Sequence, residues 1–174
     1  AHRQPLEEIE SIHCDPASLT SVNLLRILLA EHGWQPRLVP LENYAATADH
    51  ENVLLIGNPG IDFLRAPHDH AIWDLGDAWS QLTALPFVYA IWALRRRQHD
   101  EPLRAKLRDA KANGLAQLTQ TIATHPDYDA DFRQAYLGSH IRYDLGDEEK
   151  AGLAKFVELL RKHGGDEVFE PKFV

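Results

Sequence analysis

Ser18, Thr20 and Ser21 bring three hydroxyls into four consecutive positions, directly after an Asp15-Pro16 turn and before an apolar run. That order puts hydroxyls at a helix start. The first backbone N–H groups there lack intrahelical partners, and the helix dipole favours negative charge. A carboxylate bound at such a point gains roughly 0.3–1 kcal/mol from the dipole. Thr20 or Ser21 also suits plain helix capping, and residue types leave both roles open. A second candidate is "LLIGNPG", residues 54–60. An apolar strand there runs into Gly57, which permits close backbone approach, and Asn58, which offers donor and acceptor. Ligands sit at the carboxyl ends of strands in open α/β sheets; a Gly-Asn-Pro turn accounts for the same residues.

Other residues carry weaker signals. "HDH", residues 68–70, has two histidines without further ligands at metal-binding spacing, so it reads as a solvated loop and no metal site is expected. Cys14 at a strand end reads as buried packing rather than a nucleophile. No Walker-type or Rossmann glycine loop occurs. "RRR", residues 95–97, is too short for a nucleic-acid patch and reads as a solvated strand exit.

The elements that must hold these residues alternate strand and helix, which gives the class α/β. Strands are expected at 9–14, 36–41, 52–57, 71–76 and 85–94, and the continuous apolar run at 52–57 suits a parallel sheet covered on both faces. A helix over 18–33, ended by Gly33, carries Val22, Leu24, Leu25, Ile27, Leu28 and Leu29 on more than one stripe, so it is buried on most sides. A short helix fills 77–82. From 101 onward the pattern is helical: one long helix over 101–125 ended by His125-Pro126, a second over 129–140, and a third from "GDEE" to Gly164-Gly165. These helices have apolar faces that need a partner, and part of that partner is expected in a sheet outside this chain. "DLGD" occurs at 74–77 and again at 144–147. Local turn chemistry explains the repeat better than internal duplication: Gly76 and Gly146 allow the turn, Asp77 and Asp147 cap the helix, and the flanks share little beyond an aromatic.

The totals agree with one domain or one lobe of a two-lobed protein: 174 residues, 44% apolar. A net charge of −8 disfavours nucleic acid and anionic membrane surfaces as partners. A single cysteine excludes an intrachain disulfide and fits a reducing cytosol. No run approaches the ~20 apolar residues that span a bilayer, and no signal-peptide pattern is present. The opening "AHRQPLEEIESIHC" reads as the middle of a longer protein.

The run "DLGDAWSQLTALPFVYAIWALRR" resembles the signature of the chorismate dehydratase family of menaquinone biosynthesis, the enzymes that open the futalosine route. "DPASLTSVNLLRILLAE", "LLIGNPG" and "IRYDLGDEEKAGLAKF" agree in order and spacing, so the resemblance covers about residues 5 to 163. It implies a two-lobed fold like that of type II periplasmic binding proteins, with substrate in the cleft. It implies a cytoplasmic carbon–oxygen lyase, a hydro-lyase, that removes water from the dicarboxylate chorismate to give 3-[(1-carboxyvinyl)oxy]benzoate without metal or organic cofactor. Carried onto this chain, Ser18, Thr20 and Ser21 would hold a substrate carboxylate, Gly57 and Asn58 would line the cleft edge, and Leu85 to Trp92 would be a strand near the lobe crossing, braced by Trp73 and Trp79. Residues 1–88 would be the second lobe, and 89–174 the crossover strand and helices of the first. No residue here matches a catalytic base. The alternatives are a solute-binding module without catalysis and the sister naphthoate-forming enzyme of the pathway. Two departures stand out: Asn58 where the family usually has Asp, which removes a charge near the cleft, and Ala84 where it favours Gly, which reads as structural.

Overall fold

The computed structural model describes residues 1–95, 101–164 and 168–173. They fall into two compact units, Ala1–Ala90 with Gly146–Val174, and Ile91–Leu145.

The first unit is built on three short strands, β1 (Ser11–Cys14), β2 (Arg37–Pro40) and β3 (Val53–Leu54), in the order β2-β1-β3. Both pairings are parallel, with Ile12 opposite Leu38 and His13 opposite Val53. The α/β class and the parallel sheet expected from the sequence are therefore present. α1 (Leu19–Glu31) crosses from β1 to β2. Its multi-sided apolar pattern has a direct cause. Leu25 and Leu29 join Ile9, Ile12, Cys14 and Leu54 over the sheet. Leu24, Ile27 and Leu28 point elsewhere, into a second cluster with Ala78, Trp79 and Leu159. Each such fully buried side chain contributes roughly 1.5–3 kcal/mol. The second cluster is roofed by α3 (Leu75–Thr83) and α7 (Asp147–His163). Trp79, fully buried, meets Phe87 and Phe156 edge-on at 5.3 and 6.1 Å.

Several expected elements differ. Residues 71–76 form no strand: Ala71 makes one isolated antiparallel bridge to His2, and α3 begins at Leu75. Residues 85–94 are not a strand either. Pro86 has no N–H to give a ladder, and residues 85–87 lie against α7, where Gly152 leaves no room for a side chain beside the Pro86 carbonyl. Arg96 and Arg97 lie outside the described residues. Strand β3 stops at Leu54 because α2 (Asn58–Arg65) starts almost at once. The two DLGD segments are local caps, as expected, but with other capping groups. Asp74, not Asp77, accepts from the Gly76 and Asp77 amides. At the second copy Gly146 is the cap, and Glu149 reaches back to its amide at 3.0 Å. Ala84 ends α3 at φ 56°, ψ 23°, the left-handed region that favours glycine; the departure there is structural.

In the second unit the expected helix over 101–125 is two, α4 (Glu101–Ala116) and α5 (Leu118–Thr124). The Gln117 amide is shared between the Asn113 and Gly114 carbonyls, 3.2 Å each, which interrupts the α-helical ladder. α6 (Ala130–Ala135), capped by Asp129, continues into a single π turn, Tyr136–His140. Arg133 ties this unit together by donating from Nε to the Ile122 carbonyl at 2.6 Å. Among the described residues no helix is long and apolar enough to cross a membrane.

Candidate functional site

Ser18 is the residue that caps α1. Its Oγ accepts from the Ser21 amide at 3.1 Å and donates to Ser21 Oγ at 3.0 Å. Leu19 is already the first helical residue, so the cap lies two or three residues earlier than the Thr20 or Ser21 expected from the sequence. Thr20 is half-buried beside this pair and takes no part in the cap. The turn before the cap is set by Asp15, which is 2% exposed. Asp15 Oδ1 accepts from the Ala17 amide at 2.8 Å and from the Tyr44 hydroxyl at 2.5 Å. The carboxylate partner raises the Tyr44 phenol above its ordinary pKa, with desolvation adding to the effect.

Ser21 borders a pocket of about 190 Å³ at the carboxyl ends of β1 and β3. Its wall is mainly apolar, with Ile56, Phe63, Ile72 and Trp73 among the lining residues, and three polar side chains stand on it: Ser21, Asp74 and Tyr89. Gly60, in the first turn of α2, also lines it. The pocket is thus rimmed by the amino-terminal turns of α1, α2 and α3. Three dipole ends converge on one cavity, each worth roughly 0.3–1 kcal/mol to an anion. Asp74 already offsets the α3 end, since its Oδ1 is bonded to two α3 amides.

Of the residues selected from sequence, Ser21 stands on the pocket wall. Ser18 acts through Ser21, and Thr20 lies on the same helical turn. Gly57 and Asn58 are exposed at the start of α2, next to the wall but not on it. Gly57 has φ 62°, so the chain needs a glycine to turn from β3 into α2. Asp15, Tyr44, Asp74 and Tyr89 were not singled out from sequence. Asp74 sits in the repeated DLGD, where the residue before Leu-Gly was the available signal. Tyr89 sits in an apolar run where its hydroxyl was the only cue.

The "HDH" segment is not a solvated loop. His70 is 6% exposed and its Nε2 lies 2.8 Å from the His50 carbonyl, while His68 stacks on Phe63. The described residues contain no group of three or more His, Cys, Asp or Glu able to hold a metal ion. Burial pushes the Cys14 thiol up to about 11, against a smaller opposing pull from Arg26. Cys14 is thus a packed side chain of the sheet cluster, as its position suggested.

Residues 1–162 match the sequence profile of a family described as menaquinone biosynthesis. A chorismate dehydratase of Thermus thermophilus is 32% identical over 183 aligned residues, which include 91% of this chain. The chain spans 66% of that relative's length, just short of two thirds. The profile spans the segments in which the motif resemblance was found, and with a match over nearly its whole length the chain belongs to the menaquinone biosynthesis family.

Proposed function

We propose that this chain is the substrate-binding portion of a chorismate dehydratase, a cytoplasmic hydro-lyase that converts chorismate to 3-[(1-carboxyvinyl)oxy]benzoate on the futalosine route. The observation that carries this reading is 32% identity over 91% of the chain to a protein of that name. The pocket supports it chemically. A mainly apolar wall suits a carbocyclic body, and converging helix amino termini suit carboxylates. In this reading Ser21, oriented by Ser18, and the neighbouring Thr20 hold one substrate carboxylate, while Gly57 and Asn58 form the adjacent edge of the cleft. These groups act by orientation and electrostatics.

The accompanying fold is two-lobed, of the type II periplasmic-binding-protein kind. Residues 1–88 make one lobe, and 89–174 make the crossover and helices assigned to the other. α7 is the exception that packing marks, because its apolar face already lies on α1. Dehydration breaks a C–O bond and removes a neighbouring proton, and aromatisation drives it. The acceptor of that proton must come within hydrogen-bond reach. Asp74 is the one carboxylate side chain on the described wall, and its Oδ1 is committed to α3. The proton acceptors open to this reading are a substrate carboxylate, a group outside this chain, and the second Asp74 oxygen, which takes no part in the α3 cap.

The test is to incubate the full gene product with chorismate and follow the aromatic enol ether by chromatography. Product at a rate proportional to enzyme supports the reading. Chorismate bound but recovered unchanged would favour a solute-binding module.

A further inference from the structure

Tyr89 is half-exposed in a segment without regular secondary structure and stands on the pocket wall. Two residues before it, Phe87 is anchored among Trp79 and Phe156, at 5.3 and 5.2 Å between ring centroids, so the segment is held firmly from below. The Tyr89 ring then meets Phe87 edge-on at 4.8 Å. Its hydroxyl sits in room that the missing side chain of Gly76 leaves. A Cβ on Gly76 would lie 2.7 Å from the Tyr89 hydroxyl oxygen and 3.1 Å from Asp74 Oδ1, while the nearest ring carbon would be at an ordinary 3.8 Å. The hydroxyl therefore occupies the volume a side chain at position 76 would take, over the first turn of α3. Gly76 has no positive φ that would otherwise require glycine.

We propose that the Tyr89 hydroxyl, seated over Gly76, is a substrate-contacting and specificity-determining group of this pocket. The proposal rests on the dehydratase reading and adds a residue to it. On a wall that is otherwise largely apolar, a few fixed polar groups set ligand orientation. Ser21 stands on the α1 side and Tyr89 on the α3 side of the same cavity. A phenol both donates and accepts, so it can meet a substrate carboxylate or ring hydroxyl. Asp74, acceptor-only when ionised, cannot donate to a carboxylate.

The experiment uses the full gene product and chorismate. Tyr89→Phe keeps the ring and removes the hydroxyl; loss of a hydrogen bond to a charged group raises KM roughly tenfold or more, with the melting temperature little changed. Gly76→Ala displaces the hydroxyl and raises KM as well, at a cost in melting temperature. In the double variant the Cβ no longer meets an oxygen on residue 89. KM is then no higher than in Tyr89→Phe alone, and part of the lost melting temperature returns. Unchanged KM in Tyr89→Phe, or effects of the two substitutions on KM that simply multiply, would overturn the assignment. Wild-type protein that forms no product overturns the dehydratase reading and this one together; normal wild-type turnover with an unaltered Tyr89→Phe overturns this one alone.

Discussion

Gly152→Ala sets two effects of opposite sign against each other. Alanine is favoured over glycine in a helix interior by about 1 kcal/mol, and Gly152 lies well inside α7. Against that, Gly152 is buried, and a Cβ there would fall far inside the contact distance of the Pro86 carbonyl oxygen. The obstacle is backbone, so no side-chain rotation relieves it. α7 must lift from residues 85–87, which loosens the contacts among Trp79, Phe87 and Phe156. Overpacking a core site costs typically about 1–3 kcal/mol, and a backbone obstacle belongs at the upper end. Subtracting the helix-propensity gain leaves a net loss of about 2 kcal/mol. At roughly 2–4 °C per kcal/mol for a chain of this size, the melting temperature falls by about 4–8 °C. Gly114 supplies the control. It lies in α4 with nothing within 4 Å of where its Cβ would go, so Gly114→Ala keeps only the propensity term and stabilises its helix by about 0.5–1 kcal/mol. Urea unfolding followed by tryptophan fluorescence reads the first unit through buried Trp79, and far-ultraviolet circular dichroism reads the helices. A Gly152→Ala midpoint at or above wild type would refute the close-approach argument.

Other substitutions probe separate points. Ala84→Gly removes a left-handed conformation that costs a non-glycine residue about 1 kcal/mol, partly offset by greater unfolded-state entropy; a thermal melt should show a net gain of about 0.5 kcal/mol, and a loss would contradict the cap assignment. Glu31 joins α1 to α7 by accepting from Lys162 at 2.7 Å and His163 at 2.5 Å. The Lys162 hydrogen bond, then that of His163, holds its carboxyl below the usual range. A depressed folded-state pKa means this stabilisation is full above the ordinary carboxylate range and is lost as pH falls through the folded value. Glu31→Gln should therefore lower stability at neutral pH and shrink the wild-type advantage in acid; an advantage that grew in acid would reverse the sign. Cys14, raised to about 11 by burial, should resist a thiol reagent at pH 8 until the chain is denatured, and prompt labelling of native protein would place it outside the core. Thr20→Val in the full protein should raise KM for chorismate more than it lowers the melting temperature. An unchanged KM with a large thermal loss would leave Thr20 a structural residue.

What the sequence revealed, and what it hid, follows the range of the interactions involved. The multi-sided apolar pattern of α1, the parallel strands β1 to β3 and the start of α7 depend on local periodicity, and all were legible. The placement of residues 71–76 and 85–94 was not. Their apolar, β-branched and aromatic content satisfies a strand pattern, yet the partners of 85–87 are helical: Pro86 finds Gly152 and Phe87 finds Phe156, almost seventy residues later. No periodicity encodes a partner at that separation. The cap residues were misplaced by one to three positions for a related reason. Ser18, Asp74 and Gly146 each lie before the helix, and which hydroxyl, carboxylate or amide faces the free N–H groups depends on the turn that precedes it. Ser21, chosen from its place at a helix start, lies on the pocket wall, whereas Asp74 and Tyr89 reach the same wall only through tertiary packing.

The segment from Asp74 to Tyr89 therefore has one physical reading that joins its odd composition. Asp74 starts α3, Gly76 leaves a gap over the first turn, Trp79 fills the core below, and Ala84 reverses the chain. Pro86 lies on Gly152, Phe87 locks against Trp79 and Phe156, and Tyr89 emerges with its hydroxyl in the gap above Gly76. Each step limits the next. A side chain at position 76 or 152, or the loss of either anchor ring, moves the same phenol away from the cavity that Ser21 also lines. A segment whose job was only to fill a core would tolerate exchanges among residues of similar volume. This one ends with a polar group presented to a pocket, so conservative exchanges at Gly76 and Gly152 should reach the binding constant through Tyr89, while Phe87→Leu should lower both stability and affinity in proportion.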